Sequence, residues 1–180
     1  RRLSVEAAAR EVRYEFLSRV SRAQSARAVV LGHTADDQAE TILMNIVRGS
    51  GLAGLQGMRP SSMRKIDGVG LLMLRPLLAI DKRDTLDFCS ALGLEPRLDT
   101  TNLSTVATRN MLRIEAIPLL ERLNPAFREA LLRLSRSATQ GVAHLDREAG
   151  EAWNDMARHE LGVVTLPKAS LAVMDPAVRA

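Results

Sequence analysis

The stretch A-R-A-V-V-L-G-H-T-A-D-D, residues 26–37, sets a short apolar run, Ala28 to Leu31, directly before a helix start. Four apolar residues without alternation read as a strand covered on both faces, the kind that parallel sheets contain. Thr34, with Asp37 three residues on, forms a capping box in which an acidic residue replaces the usual Glu, so a helix is expected over 35–47. Ile42, Leu43, Ile46 and Val47 are its expected buried face. Upstream, Ser4 caps a helix whose apolar positions Val5, Ala8, Val12, Phe16 and Val20 recur at helical spacing. Helix, strand, helix in that order implies an α/β layer, because parallel strands need a crossover between them.

The rest of the chain extends this pattern. G-V-G-L-L-M-L, residues 68–74, reads as a second strand that stops before Pro76, which has no N–H for a ladder. Asp81 caps a helix running to Leu92 and closed by Gly93. E-P-R-L-D-T-T-N-L-S-T-V-A-T is polar and turn-rich, and a helix resumes near Arg109 and ends before Asn124-Pro125. Within it, Pro118 marks either a kink or the true helix start. From Ala126 to about Leu161 the pattern is helical, with interruptions expected at Gly141 and Gly150. A domain boundary is placed near Asn124, dividing the chain into 1–123 and 124–180.

With 180 residues, 46% hydrophobic and 26% charged, the chain can bury a core. Its formal charge of +4 is compatible with a polyanionic partner without requiring one. Cys89 is the single cysteine, so neither a disulfide nor a cysteine-based zinc or iron–sulfur site can be built within these residues. A reducing, cytoplasmic setting is expected, and no apolar run reaches the length of a membrane span. Cys89, Trp153 and the methionines are expected in the core, and His144 and His159 lack partners at ligand spacing. The chain opens Arg-Arg-Leu-Ser with no initiator Met, and the natural beginning is expected to lie upstream.

Asp36, Asp37 and Glu40 crowd the first turns of the 35–47 helix. The helix dipole favours an acidic residue there by roughly 0.3 to 1 kcal/mol, which accounts for one such residue and not three. The remainder calls for a cation, either Mg²⁺ or a substrate ammonium, unless the patch is a solvated helix start. Arg48 follows, serving phosphate or simply the helix C-terminus. G-S-G-L-A-G, residues 49–54, has the spacing of a dinucleotide-binding turn but follows a helix where that motif requires a strand, so the Rossmann reading fails. Arg109 and Arg113, four apart on one helix face with Asn110 between, have the spacing of phosphate contacts or of a solvated face. Arg128, Arg133, Arg136 and Arg147 are interspersed with acidic residues, the pattern of a solvated face rather than an RNA-facing stripe.

L-G-H-T-A-D-D-Q-A-E-T-I-L-M-N-I-V-R-G-S-G-L-A-G-L-Q-G-M resembles the signature of bacterial tRNA(Ile)-lysidine synthetases, which runs G-H-x-x-D-D-Q-x-E-T and then R-G-x-G-x-x-G-L-x-G-M. S-V-E-A-A-A-R-E-V-R-Y-E-F-L upstream, and L-R-P-L-L, D-T-T-N and R-N-M-L-R-I-E-A-I-P-L-L-E-R-L-N-P downstream, resemble that family's further segments in the same order. The resemblance covers roughly Ser4 to Pro125. The family's phosphate loop, S-G-G-x-D-S, does not occur in residues 1–180 and is expected before them.

The resemblance implies the later part of an adenine-nucleotide α-hydrolase-like (PP-loop) parallel-sheet domain, followed by the start of a helical tRNA-binding domain. It implies a ligase that joins free lysine to C2 of the wobble cytidine in a tRNA(Ile) with a CAU anticodon, using ATP and Mg²⁺ through an adenylated tRNA. Asp36, Asp37 and Glu40 become the expected catalytic set, with Asp37 and Glu40 recognising lysine. His33, Arg48, Arg109, Asn110 and Arg113 become expected contacts for ATP or tRNA phosphate, while the metal ligands stay unassigned. A homodimer is compatible with this scheme. The competing readings are another enzyme of the group, such as a tRNA 2-thiocytidine synthetase with paired cysteines, or a non-catalytic tRNA-binding remnant.

Overall fold

The computed structural model describes residues 5–97 and 108–179. The Ser4 cap and the D-T-T-N segment lie outside the described residues. The chain runs α1 (Val5–Ala23), β1 (Val29–Val30), α2 (Ala35–Val47), a one-turn α3 (Leu52–Leu55), β2 (Ser61–Ile66), β3 (Val69–Leu74) and α4 (Lys82–Ala91). It continues through α5 (Thr108–Met111), a π-helical turn (Leu112–Ala116), α6 (Ile117–Leu123) and the 30-residue α7 (Phe127–Met156). A hairpin of β4 (Arg158–Glu160) and β5 (Val163–Thr165) leads into α8 (Lys168–Val173) and α9 (Pro176–Arg179).

The sheet is mixed, in the order β1-β3-β2. β1 pairs in parallel with β3, Val29 opposite Met73, as the apolar run predicts. Parallel pairing does not seal both faces here, because Val30 is 65% exposed. β2 pairs antiparallel with β3 across Asp67 and Gly68, whose φ angles of 49° and 80° place both in the left-handed region of a tight hairpin turn. β2 is absent from the sequence expectations, although Asp-Gly between two apolar-patterned runs is the standard hairpin signal.

Two apolar clusters hold the elements together. Tyr14 and Leu17 of α1 pack against Ile66, Leu71 and Met73 of the hairpin. Ala39, Ile42 and Leu43 of α2 pack with Leu112, Ile117 and Leu131, so α7 begins in the same cluster as α2. The buried face of α2 is therefore Ala39, Ile42 and Leu43. Ile46 and Val47 were expected there, but they are 41% and 63% exposed because the last turn of α2 runs past the cluster. Asn45 ties that turn to the glycine loop, its amide donating to the Gly54 carbonyl at 2.7 Å.

A buried polar joint connects α2, the glycine turn and α7. The Gln38 side-chain amide donates to the carbonyls of Gln56 and Met58 at 3.0 and 3.1 Å, and accepts from Met58 N–H at 2.7 Å. Ser135 of α7 donates to the same Gln56 carbonyl at 2.7 Å. Gly57 lies against this amide with φ +66°, and an added Cβ would stand 2.8 Å from it. That position tolerates only glycine.

Pro118 marks the start of α6 and lies in its first turn. It has no N–H for the carbonyl four residues back, and the preceding π turn, in which Ile117 N–H reaches the Leu112 carbonyl, absorbs the mismatch. Gly141 and Gly150 do not interrupt α7. A Cβ at Gly141 would meet a Leu52 methyl at 3.4 Å, so that glycine permits the close approach of α3. Trp153, expected in the core, is 46% exposed and stands edge-on to His159, because the buried positions of α7, Leu131, Ser135 and Ala138, all lie in its first half. Cys89 is half-buried in α4.

Ile42 is fully buried, so Ile42→Ala is expected to cost about 2–5 kcal/mol. Val47→Ala at the exposed end of the same helix should stay within about 0.5 kcal/mol, and urea denaturation of both variants checks the reassigned face.

Candidate functional site

The acidic turn of α2 starts from its cap. Thr34 N–H donates to Asp37 Oδ2 at 2.8 Å and the Thr34 hydroxyl donates to the same oxygen at 3.2 Å, closing the expected capping box. That fixes the Asp37 rotamer and leaves Oδ1 turned outward. There it meets Arg109, whose Nη2 donates at 2.8 Å, while the Arg109 Nε donates to Glu40 Oε2 at 2.6 Å. One guanidinium thus spans both carboxylates through the Nε and Nη2 donors of its planar fork.

Glu40 is 4% exposed, so its charge needs partners inside the protein. Arg113 supplies a second one. Its Nε lies 3.2 Å from Glu40 Oε1 but lacks hydrogen-bond alignment, so the contact is Coulombic, and its Nη2 donates to Asn110 Oδ1 at 2.8 Å. Arg109 and Arg113 come from α5 and the π turn, and their four-residue spacing turns both toward α2. The cation that the three acids call for is in this structure the chain's own.

Asp36 faces away from that pair. Its Oδ2 accepts the backbone N–H of Lys82, the first residue of α4, at 2.7 Å, and its Oδ1 accepts from Arg128 Nη1 of α7. Arg128 also donates through Nε to Glu121 Oε1 at 2.6 Å. Asp36 therefore joins α2 to α4 and α7. Arg128 read as a solvated residue in the sequence, and no local signal could expose a contact 92 residues away.

His33 sits half-buried just after β1, with Nδ1 sealed and unpartnered. Burial lowers its pKa below 6.5, and Arg75, Arg109 and Arg10 push it the same way, against the opposing charge of Asp37. Arg48 caps the far end of α2 with an exposed side chain, roughly 18 Å along the helix axis from Asp36, so the structure does not bring it to the other site residues. Arg75, which the sequence reading passed over inside L-R-P-L-L, is 6% exposed at the end of β3.

The carboxylates do not fit Mg²⁺ as arranged. Each oxygen of Asp36, Asp37 and Glu40 already faces an N–H or a guanidinium, and Mg²⁺ demands several free hard oxygens in near-octahedral array. No group of three or more His, Cys, Asp or Glu that could hold a metal occurs among the described residues. The arrangement offers something else: carboxylates and guanidiniums alternating within one hydrogen-bonded cluster.

Two outcomes follow from this geometry. Arg109→Gln should destabilise the fold by about 1.5–3 kcal/mol, mostly through sealed Glu40, since the Asp37 arm is 31% exposed. A double-mutant cycle with Glu40→Gln should return a coupling of about 0.5–3 kcal/mol. For His33 the folded pKa lies below the unfolded value, so the unfolded chain takes up the proton first. The stabilisation is complete above pH 6.5 and is lost as pH falls from there through the lowered folded value. His33→Asn should flatten that part of the stability–pH curve, and the imidazole proton signals of the parent should titrate below 6.5.

Residues 1–120 match the PP-loop domain family. The chain is 42% identical to a tRNA(Ile)-lysidine synthase of Dehalococcoides mccartyi (strain CBDB1), aligned over 98% of this chain and 38% of that protein. It is also 42% identical to the enzyme of that name from Salinispora tropica, over 97% of this chain and 50% of the relative, and 41% identical to that of Bacillus cereus (strain ATCC 14579), over 84% and 31%. The chain thus spans half or less of the length of these relatives. Among solved structures, the U34-tRNA thiolase NcsA from Methanococcus maripaludis, determined with its [4Fe-4S] cluster, superposes with a TM-score of 0.56 at 20% identity, covering 77% of this chain and 45% of that one. That likeness concerns the fold. The family match over residues 1–120, the parallel β1–β3 pair and the motif-bearing α2 lead to one conclusion: the chain belongs to the PP-loop domain family.

Proposed function

We propose that the protein to which this chain belongs ligates free lysine to C2 of the wobble cytidine of a tRNA(Ile) with a CAU anticodon, using ATP. The observation that carries the reading is the cluster of Asp37 and Glu40 with Arg109 and Arg113, set on the segment that the lysidine synthases share with this chain. Free lysine is a zwitterion with an additional ammonium. A ligand of that kind can exchange with an internal ion-pair cluster without leaving a buried charge bare, because an ammonium replaces a guanidinium at the carboxylates while the ligand carboxylate takes the released guanidinium. A neutral ligand, or one of a single sign, cannot.

The reaction proceeds in two steps. The C2 carbonyl oxygen of cytidine attacks the α-phosphorus of ATP, releasing pyrophosphate and leaving C2 activated. The lysine ε-amine, freed of its proton, then forms the C2–N bond as AMP departs. Asp37 and Glu40 orient lysine, while Asp36, fixed between Lys82 and Arg128, keeps the start of α2 in place beneath them. ATP supplies the activation, in keeping with the PP-loop family. No step is assigned to Mg²⁺, since the carboxylates present have their oxygens occupied.

In the full-length protein, Asp37→Asn or Glu40→Gln should raise the lysine KM roughly ten- to hundredfold, the loss of one charge-assisted hydrogen bond. Adenylation of the tRNA should survive better than lysine transfer. Lysine titrations run beside an adenylation assay decide the matter, and equal loss of both steps would move these residues to the nucleotide.

A further inference from the structure

The apolar positions that mark α1 in the sequence are not the ones that it buries. Against the β2–β3 hairpin the helix packs Tyr14 and Leu17, with Ser18 and Ser21 also withdrawn from solvent. At about 100° per residue, Phe16 lies roughly 200° round the helix from Tyr14, and Val12 and Val20 flank it within about 40° on either side. Val12 is 63%, Phe16 52% and Val20 39% exposed. The helix therefore carries a second apolar stripe on the side away from the sheet, where the outer face of an α/β layer is normally polar.

That stripe has the form of a packing surface. Val12, Phe16 and Val20 make an i, i+4, i+8 ridge, the unit with which helices interlock. An open groove of about 570 Å³ runs beside it, walled by Val12, Phe16 and, from the hairpin turn, Asp67. A segment that extended the sheet at β1 would lie in the plane of the strands and leave this side of α1 uncovered. Its occupant comes from outside the layer.

The charges round the stripe indicate which occupant fits. Arg13, Glu15, Arg19 and Arg22 border the groove with both signs interspersed, a pattern ill suited to a polyanion such as RNA. Glu15 forms no ion pair among the described residues, although Arg19 stands one turn further on. Arg19 instead lies over the Phe16 ring, 5.7 Å from its centroid, and Arg22 donates to the Ser18 carbonyl at 3.3 Å. Glu15 and Arg22 are two turns apart, so both stand on one flank of the ridge. A second α1 laid antiparallel about a two-fold axis, level with Ser18 and Arg19, brings Glu15 of each copy to Arg22 of the other. The same register sets Phe16 of each against Val20 of the other. Both charge pairs form at once, because an isologous contact uses each residue twice.

We propose that the outer face of α1 is a homodimer surface, on which the Val12–Phe16–Val20 ridge packs against its two-fold copy and Glu15 pairs with Arg22 across the axis. A contact built on one helix is at the small end of specific interfaces, so association falls in the micromolar range. The dimer requires neither lysine, ATP nor tRNA, and it stands or falls apart from the proposed reaction.

The test is sedimentation equilibrium of the full-length protein over a micromolar concentration series, with thermal melts as a check on folding. Phe16→Asp should weaken dimerisation by about tenfold or more while the melt is retained, since the side chain faces away from the sheet. Glu15→Arg alone and Arg22→Glu alone should each yield monomer, because like charges then meet twice. Mixing those two single variants should restore a dimer, and the double variant Glu15→Arg/Arg22→Glu should dimerise by itself. A protein that stays monomeric at hundreds of micromolar overturns the proposal, as does a dimer that none of these substitutions weakens. Monomer from both single variants without recovery on mixing overturns the two-fold pairing and the proposal with it. A monomer in which Phe16→Asp lowers the melting temperature overturns it by assigning the stripe to another segment of the same chain. Loss of tRNA binding in Phe16→Asp with association unchanged overturns it in favour of RNA.

Discussion

Glu40 is an acid 4% exposed in the second turn of a helix, and the site is built around keeping it there. A carboxylate so placed is tolerable only when its oxygens are met by donors of opposite charge. Arg109 and Arg113 meet them from about seventy residues further along the chain, and Arg109 extends its fork to Asp37. Those contacts set the position of α5 and of the π turn. Leu112, between the two arginines, then enters the apolar cluster of α2, so the polar and apolar faces of this joint reinforce each other.

The same helix is anchored on its other sides. Asp36 takes the start of α4 and the first turn of α7, and Gln38 with Ser135 ties the glycine turn to the first half of α7. Asp36, Asp37, Gln38 and Glu40 thus tie the start of α2 to α4, α5, the π turn, the glycine turn and α7. Helix α7 is part of the frame that holds the acidic turn.

Much of this was legible locally. The bounds of α2 and its capping box follow from Thr34 and Asp37, the parallel strand from Ala28–Leu31, and the end of α4 from Gly93, which adopts φ +66°. These are effects of a few neighbouring residues on backbone conformation. β2 was legible and missed, because its single apolar face alternates too weakly to register without attention to Asp67-Gly68. The partners of the acids were not legible. Spacing shows that Arg109 and Arg113 share a face, but which face meets α2 depends on the π turn and on apolar packing 70 residues distant in sequence. The exposure of Ile46, Val47 and Trp153 has the same origin: periodicity marks a helix stripe and does not say how far along it the core extends.

The central claim is that the Asp37–Glu40–Arg109–Arg113 cluster receives a zwitterionic amino acid by exchanging internal ion pairs for external ones. A crystal structure of the full-length protein soaked with lysine tests it most directly. The account predicts a lysine ammonium at about 3 Å from a carboxylate oxygen of Asp37 or Glu40, with the Arg109 or Arg113 guanidinium turned onto the ligand carboxylate. Lysine bound elsewhere, with Arg109 still spanning Asp37 and Glu40, would contradict it.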